Sequence, residues 1–231
     1  MELLECKHLC KSYDDTPVLK DINLKIERGK IIGLLGKNGV GKSTLIKIIN
    51  DLLVPTEGEV YINGEKPGVN SKKTIAYLPE RTYLDKEMKI IEVFHYFEEF
   101  YDNFNIEKAK KLLKDLDLDI NKKISKMSKG MQEKLQLVLV MSRDADLYIL
   151  DEPLGGVDPA TRDYILDTIL SNFKEGASMI ISTHLISDIE RILDEVIFMN
   201  DGEIILTSPA DELREKEKGS IDEIFRRYFK C

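Results

Sequence analysis

Cysteine is scarce in this chain, with three residues, Cys6, Cys10 and Cys231. So small and odd a number argues against a disulfide-stapled scaffold and fits a reducing compartment. Long apolar runs are missing too. None approaches the ~20 residues that a bilayer-crossing helix needs, so the chain is not expected to span a membrane itself. The opening residues, "MELLECKHLCKSYDD", lack a basic start followed by an apolar run, and no signal peptide is expected. Nor is there an excess of basic charge. The formal net charge is −8, with acidic and basic residues interleaved. That balance suits neither nucleic acid nor an anionic lipid surface. The expected setting is cytoplasmic, with no nucleic-acid partner and any membrane role exerted through another subunit. Cys6, His8 and Cys10 would share one face of a regular strand. Side chains two apart on a strand stand ~7 Å apart, which is far for ligands of one zinc. They are read as half-buried strand residues.

What is present is a chain of 231 residues, 42% hydrophobic and 33% charged. That is enough for a substantial core in one large domain. Two β-segments, 2 to 13 and 18 to 27, flank the turn "DDTP". "KIIGLLG" is short, apolar and followed by glycines, as suits a strand buried on both faces. A helix is expected over 42–53, a turn at Asn63 and Gly64, and a strand at "KTIAYLP". From about 85 to 145 the pattern turns helical. Val93, Phe97, Phe100, Tyr101 and Phe104 stand at helical spacing, then Ile106, Ala109, Leu112, Leu113 and Leu116. Ser128 reads as the N-cap of a third helix. "DLYILDEP" and "SMIIST" read as strands around the helical "ATRDYILDTILSNF". A hairpin turns at Asp201 and Gly202, and short helices close the chain over 209–230. Strands alternating with helices around a mostly parallel sheet make an α/β core.

"GLLGKNGVGKST" holds Gly36, four residues, then Gly41, Lys42 and Ser43, between an expected strand and an expected helix. That context is what a phosphate-binding loop requires. Gly36, Gly39 and Gly41 let the backbone bend close to a polyphosphate, and the helix N-terminus adds unpaired N–H groups. Lys42 can reach the terminal phosphates, and Ser43 can ligate Mg²⁺. "LYILDEP" ends an apolar strand in two carboxylates. Asp151 suits the cation, and Glu152 suits polarisation of an attacking water.

Together these residues resemble an ATP-binding cassette (ABC) subunit, the nucleotide-binding part of an ABC transporter, from about residue 2 to 208. The resemblance implies a P-loop NTPase core with a mostly parallel sheet, an antiparallel β-subdomain and an inserted helical subdomain, all in one nucleotide-binding domain over 1–231. Tyr13 matches the aromatic that stacks on adenine. Gly36, Lys37, Asn38, Gly39, Val40, Gly41, Lys42, Ser43 and Thr44 match the Walker A loop, and 147–152 the Walker B strand. Asp158 in "LGGVD" matches the D-loop, and His184 the switch histidine that senses the γ-phosphate. Glu80 stands where the family has a glutamine, as a further candidate cation ligand.

The family signature, Leu-Ser-Gly-Gly-Gln, is similar to Met127, Ser128, Lys129, Gly130 and Met131. Ser128 and Gly130 are kept. Similar Ser-Lys-Gly-Met sequences occur in a bacterial branch tied to export. The resemblance implies ATP and Mg²⁺ as cofactors and Mg²⁺-dependent ATP hydrolysis by Lys42, Glu152 and His184. It implies head-to-tail pairing with a second ABC subunit, itself or a paralogue, whose Ser128 and Gly130 face the bound ATP. It also implies a transmembrane permease as partner, holding the chain at the inner face of the membrane. Lys129 breaks helix-capping rules, since it puts a cation at a positive helix end; a polyphosphate would compensate it. A soluble, non-transport ABC ATPase is the alternative.

Overall fold

The computed structural model describes residues 2–155 and 159–229. Along the chain, β1 (Glu2–Tyr13), β2 (Thr16–Glu27) and β3 (Ile31–Leu35) lead into α1 (Lys42–Ile49), β4 (Glu57–Ile62), α2 (Val69–Thr74) and β5 (Ile75–Leu78). Three helices follow, α3 (Ile90–Phe100), α4 (Ile106–Asp115) and α5 (Lys129–Met141). The chain returns through β6 (Leu147–Asp151), α6 (Pro159–Asn172), β7 (Ser178–Thr183) and α7 (Ile186–Ile189). It ends in β8 (Glu195–Asn200), β9 (Glu203–Pro209), α8 (Ala210–Glu217) and α9 (Ile221–Phe229).

Six strands form the main sheet in the order β5-β6-β7-β3-β8-β9, parallel except for the antiparallel β8–β9 edge. A second sheet, β2-β1-β4, is antiparallel. The central strands are apolar throughout because both faces are covered. Leu34, Ile149, Ile180 and Ile197 pack with Leu45, Ile46 and Ile49 of α1 and with the small sheet. Their neighbours Leu35, Leu150, Ile181 and Phe198 pack in a second core with the remaining helices. Period-2 alternation thus serves two cores rather than one core and solvent. Among the described residues no helix is long and apolar enough to cross a membrane.

Local details depart from the sequence reading in four places. α1 stops at Ile49 rather than at 53. α2 was not foreseen, because "VNSKKT" carries no apolar period. α3 ends at Phe100, and the chain then folds back. Tyr101 and Phe104 turn in against Phe97, with ring centroids 5.5 and 5.6 Å away. Phe100, the last residue of α3, is 58% exposed and stacks on Tyr96 at 4.5 Å. His8 has a φ of 48°, and the β1 register shifts between Cys6 and Leu9. This bulge breaks the alternation, so Cys6, His8 and Cys10 do not line up on one face. Burial pushes the Cys6 thiol up to about 12, and His8 Nδ1 pairs with Asp21 at 2.7 Å.

Arg143 ties the helical insertion to the sheet edge. It is 4% exposed and donates to the carbonyls of Ile75 (2.7 Å), Lys72 (3.0 Å) and Lys73 (3.0 Å), and to Asn103 Oδ1 (3.1 Å). Its guanidinium lies 3.7 Å from the Tyr101 ring centroid. The carbonyls of α2 have no helical partner of their own at this end, and the arginine supplies one. Arg143→Met should lower stability by about 3 kcal/mol, since it strands several buried acceptors. Urea unfolding checks this; a loss below ~0.5 kcal/mol would mean those carbonyls find other donors.

Candidate functional site

The site lies at the carboxyl ends of β6, β7 and β3, where open parallel sheets bind ligands. The register brings its parts together. Asp151 pairs with Ser182 across β6–β7, and Leu35 pairs with Thr183 across β7–β3. The phosphate-loop candidate, the two carboxylates and His184 therefore emerge side by side from adjacent strands. They border a cavity of about 990 Å³, lined from the loop side by Asn38, Gly39, Gly41, Lys42, Ser43 and Thr44. Glu80, Asp151, Glu152 and His184 also stand on its wall.

The loop is shaped for close approach. Gly41, the N-cap of α1, has a φ of 107°, and a Cβ there would meet Val18 O at 2.9 Å. Gly39 has a φ of 86°, and a Cβ there would meet nothing within 4 Å. Its backbone is thus left-handed and open, as an anion cradle needs. Lys42 is 5% exposed. Its Nζ donates to the carbonyls of Gly36 (2.7 Å) and Lys37 (3.1 Å) and lies 3.8 Å from Glu152 Oε1. Burial lowers its pKa, and the carboxylates of Glu152, Asp151 and Glu80 oppose that shift.

Asp151 is 2% exposed, and its Oδ1 accepts from Ser43 Oγ (3.3 Å) and Ser182 Oγ (2.5 Å). β6 ends there, and Glu152 turns to a φ of 51°. The two carboxylates diverge through this turn, not through a continuing strand. Glu152 Oε2 accepts from Thr183 Oγ1 at 3.3 Å and meets His184 Nδ1 at 3.0 Å. Oxygen donors from Ser43 and Asp151 fit a hard divalent cation. Among the described residues no group of three or more His, Cys, Asp or Glu could hold a metal on its own. Mg²⁺ commonly takes only one or two protein ligands and completes its shell with phosphate and water.

Several expected residues stand away from this cavity wall. Gly36, Lys37 and Val40 belong to the loop but do not line the cavity; Lys37 Nζ instead donates to Phe229 O at 3.3 Å. Tyr13 is 47% exposed, with Lys11 Nζ 5.3 Å from its ring centroid, and Val18 is the β2 residue on the wall. Ser128 caps α5 by accepting from Met131 N at 3.3 Å, and it and Gly130 are not on the wall either. Lys129 is on the wall, and it meets Glu133 at 3.4 Å. That pair supplies part of the compensation the sequence alone left open, although so exposed a pair contributes little. Asp158 lies outside the described residues.

Sequence reasoning missed Val18, Arg81, Thr82, Gln132 and Gln136 on the wall, and Ser182 and Thr183 behind the carboxylates. Gln136 is 2% exposed, and its Nε2 has no hydrogen-bond partner among the described residues. A lone polar residue in "LQLVLVM" and a polar pair ending "SMIIST" were the available signals.

An α/β sheet with a glycine-rich loop, a buried lysine and paired carboxylates at its carboxyl edge defines a nucleotide-binding P-loop protein. A family model described as "ABC transporter" matches residues 19–155, more than half of the chain. The ABC-type transporter ATP-binding protein EcsA of Bacillus subtilis (strain 168) is 33% identical, over 97% of this chain and 96% of that protein. The ABC transporter ATP-binding protein YtrB of the same organism is 30% identical, over 93% of this chain and 74% of that protein. The SkfA peptide export ATP-binding protein SkfE, also of that organism, is 29% identical, over 89% and 88%. A solved ATP-binding subunit of an ABC transporter superposes with a TM-score of 0.88 at 29% identity, covering 97% of this chain and 98% of that one. The chain belongs to the ABC transporter family, as an ATP-binding subunit.

Proposed function

We propose that the chain is a Mg²⁺-dependent ATPase that powers an ABC exporter. The observation that carries this reading is the convergence of Lys42, Ser43, Asp151, Glu152 and His184 on one cavity. Lys42 and the loop N–H groups hold the ATP phosphates. Ser43 and Asp151 hold the cation, and Glu80 is a third candidate. Bound Mg²⁺ neutralises charge on the phosphate oxygens. Glu152 orients the attacking water and takes its proton. Thr183 and His184 hold Glu152 in place, and His184 reaches the γ-phosphate. Tyr13 stacks on adenine.

Ser128 and Gly130 of a second ABC subunit close over the nucleotide. The unpaired N–H groups and dipole at the start of α5 suit a γ-phosphate. A Cβ at Gly130 would meet nothing within 4 Å, which leaves room for that approach. A transmembrane permease docks the chain at the inner face of the membrane. The exposed, stacked Tyr96 and Phe100 on α3 belong to the helical subdomain, the family's docking region. Export is supported by the Ser128–Met131 sequence and by relatives named for it, SkfE and the Nod factor export ATP-binding protein I of Cupriavidus pinatubonensis.

Steady-state phosphate release with and without Mg²⁺ tests the enzyme reading. Release from ATP should depend on Mg²⁺ and stop in EDTA. Binding of ATP without release under any condition would instead mark a non-hydrolysing regulator.

A further inference from the structure

The geometry points to Ser182 as a positioning residue that sets the affinity of the site for its divalent cation by fixing Asp151. This rests on the Mg²⁺-dependent reading above. Ser182 is fully buried near the end of β7, in register with Asp151. Its hydroxyl donates to Asp151 Oδ1 at 2.5 Å, and Ser43, the other hydroxyl on that oxygen, stands at 3.3 Å. A hydroxyl donating to a carboxylate makes one of the stronger hydrogen bonds. The bond from Ser182 also comes from a strand held on both sides by β6 and β3, whereas Ser43 belongs to the loop–helix junction that must accommodate a nucleotide.

Ser182 anchors the neighbouring carboxylate as well. Glu152 N donates to Ser182 O at 3.0 Å and lies 3.3 Å from Ser182 Oγ. One β7 residue thus holds the side chain of the cation ligand and the backbone turn that aims the water-activating glutamate. An apolar residue here would continue the "MII" run but could not donate to Asp151. What it would lose is orientation of the metal carboxylate, and such supporting hydrogen bonds typically govern metal affinity by about 10–100-fold.

The test is Mn²⁺ binding by electron paramagnetic resonance in the presence of saturating ATP, beside ATP binding in EDTA. Ser182→Ala should weaken Mn²⁺ about tenfold and leave ATP binding in EDTA unchanged. Ser182→Cys replaces the hydroxyl with a somewhat larger, weak donor, so it should behave like the alanine variant. Wild-type Mn²⁺ affinity in either variant would overturn the proposal. So would an equal loss of ATP binding in EDTA, which marks a packing defect. If the wild-type chain with ATP holds no Mn²⁺, the Mg²⁺-dependent reading falls and this inference with it.

Discussion

Glu152→Gln should cut ATP hydrolysis by about 10²–10⁴-fold while leaving ATP binding in place. Gln has the size of Glu and can still accept from Thr183 Oγ1, which lies 3.3 Å from Glu152 Oε2. It cannot take a proton from water. The side chain is 12% exposed and stands between Lys42 at 3.8 Å and His184 at 3.0 Å, so solvent does not readily supply another base. With chemistry stalled, the ATP-bound form should accumulate. On the head-to-tail reading it should elute as a dimer in size-exclusion chromatography with ATP and as a monomer with ADP. Near-normal phosphate release would refute the role of Glu152. A stalled enzyme that stays monomeric would refute pairing with itself and point to a paralogue.

Lys42→Met should weaken ATP binding by about a hundredfold, the scale of one or two charge-assisted hydrogen bonds. Its effect on the nucleotide-free fold should be small. The ammonium is 5% exposed, and burial lowers its pKa despite three nearby carboxylates. The native state therefore carries a penalty for the charge. The sign follows from linkage. With a folded value below the ordinary 10.5, the penalty is full below the folded pKa and lifts as pH rises towards the unfolded one. In wild type this favours the fold in that alkaline window; the methionine variant lacks the gain. Without nucleotide, its melting temperature near neutral pH should change by no more than ~4 °C. Isothermal calorimetry and thermal scans measure the two effects. A large loss of stability would mean that the bonds from Lys42 to Gly36 and Lys37 support the loop itself.

Much of the fold was legible because its signals are local. "KIIGLLG", "DLYILDEP" and "SMIIST" are apolar strands that end in glycine, carboxylates and hydroxyls, and each forms a strand feeding the site. The Asp201–Gly202 turn formed because both residues adopt positive φ, 52° and 81°. Ser128 caps α5 as its type suggests. The helical spacing of Val93, Phe97, Phe100, Tyr101 and Phe104 records which residues could share a helical face, but not where the helix stops, at Phe100. Tyr101 and Phe104 lie beyond that end and pack back on Phe97. Cys6, His8 and Cys10 were misread as sharing a face because a bulge changes the count by one residue, which alternation cannot reveal.

The sequence by itself determined the chemistry: a glycine-rich loop, a lysine, a serine, two carboxylates and a histidine, spaced so that each ends or follows a strand. Those are properties of short segments, and hydrogen bonding along the backbone suffices to express them. Only the tertiary structure decided which strands are neighbours. The order β6-β7-β3 and the pairing of Asp151 with Ser182 are long-range hydrogen-bond choices that no local pattern contains. That choice brings residues 36 to 44, 151 to 152 and 182 to 184 to one cavity. It also turned Ser182 from the polar end of an apolar strand into the hydroxyl that holds Asp151.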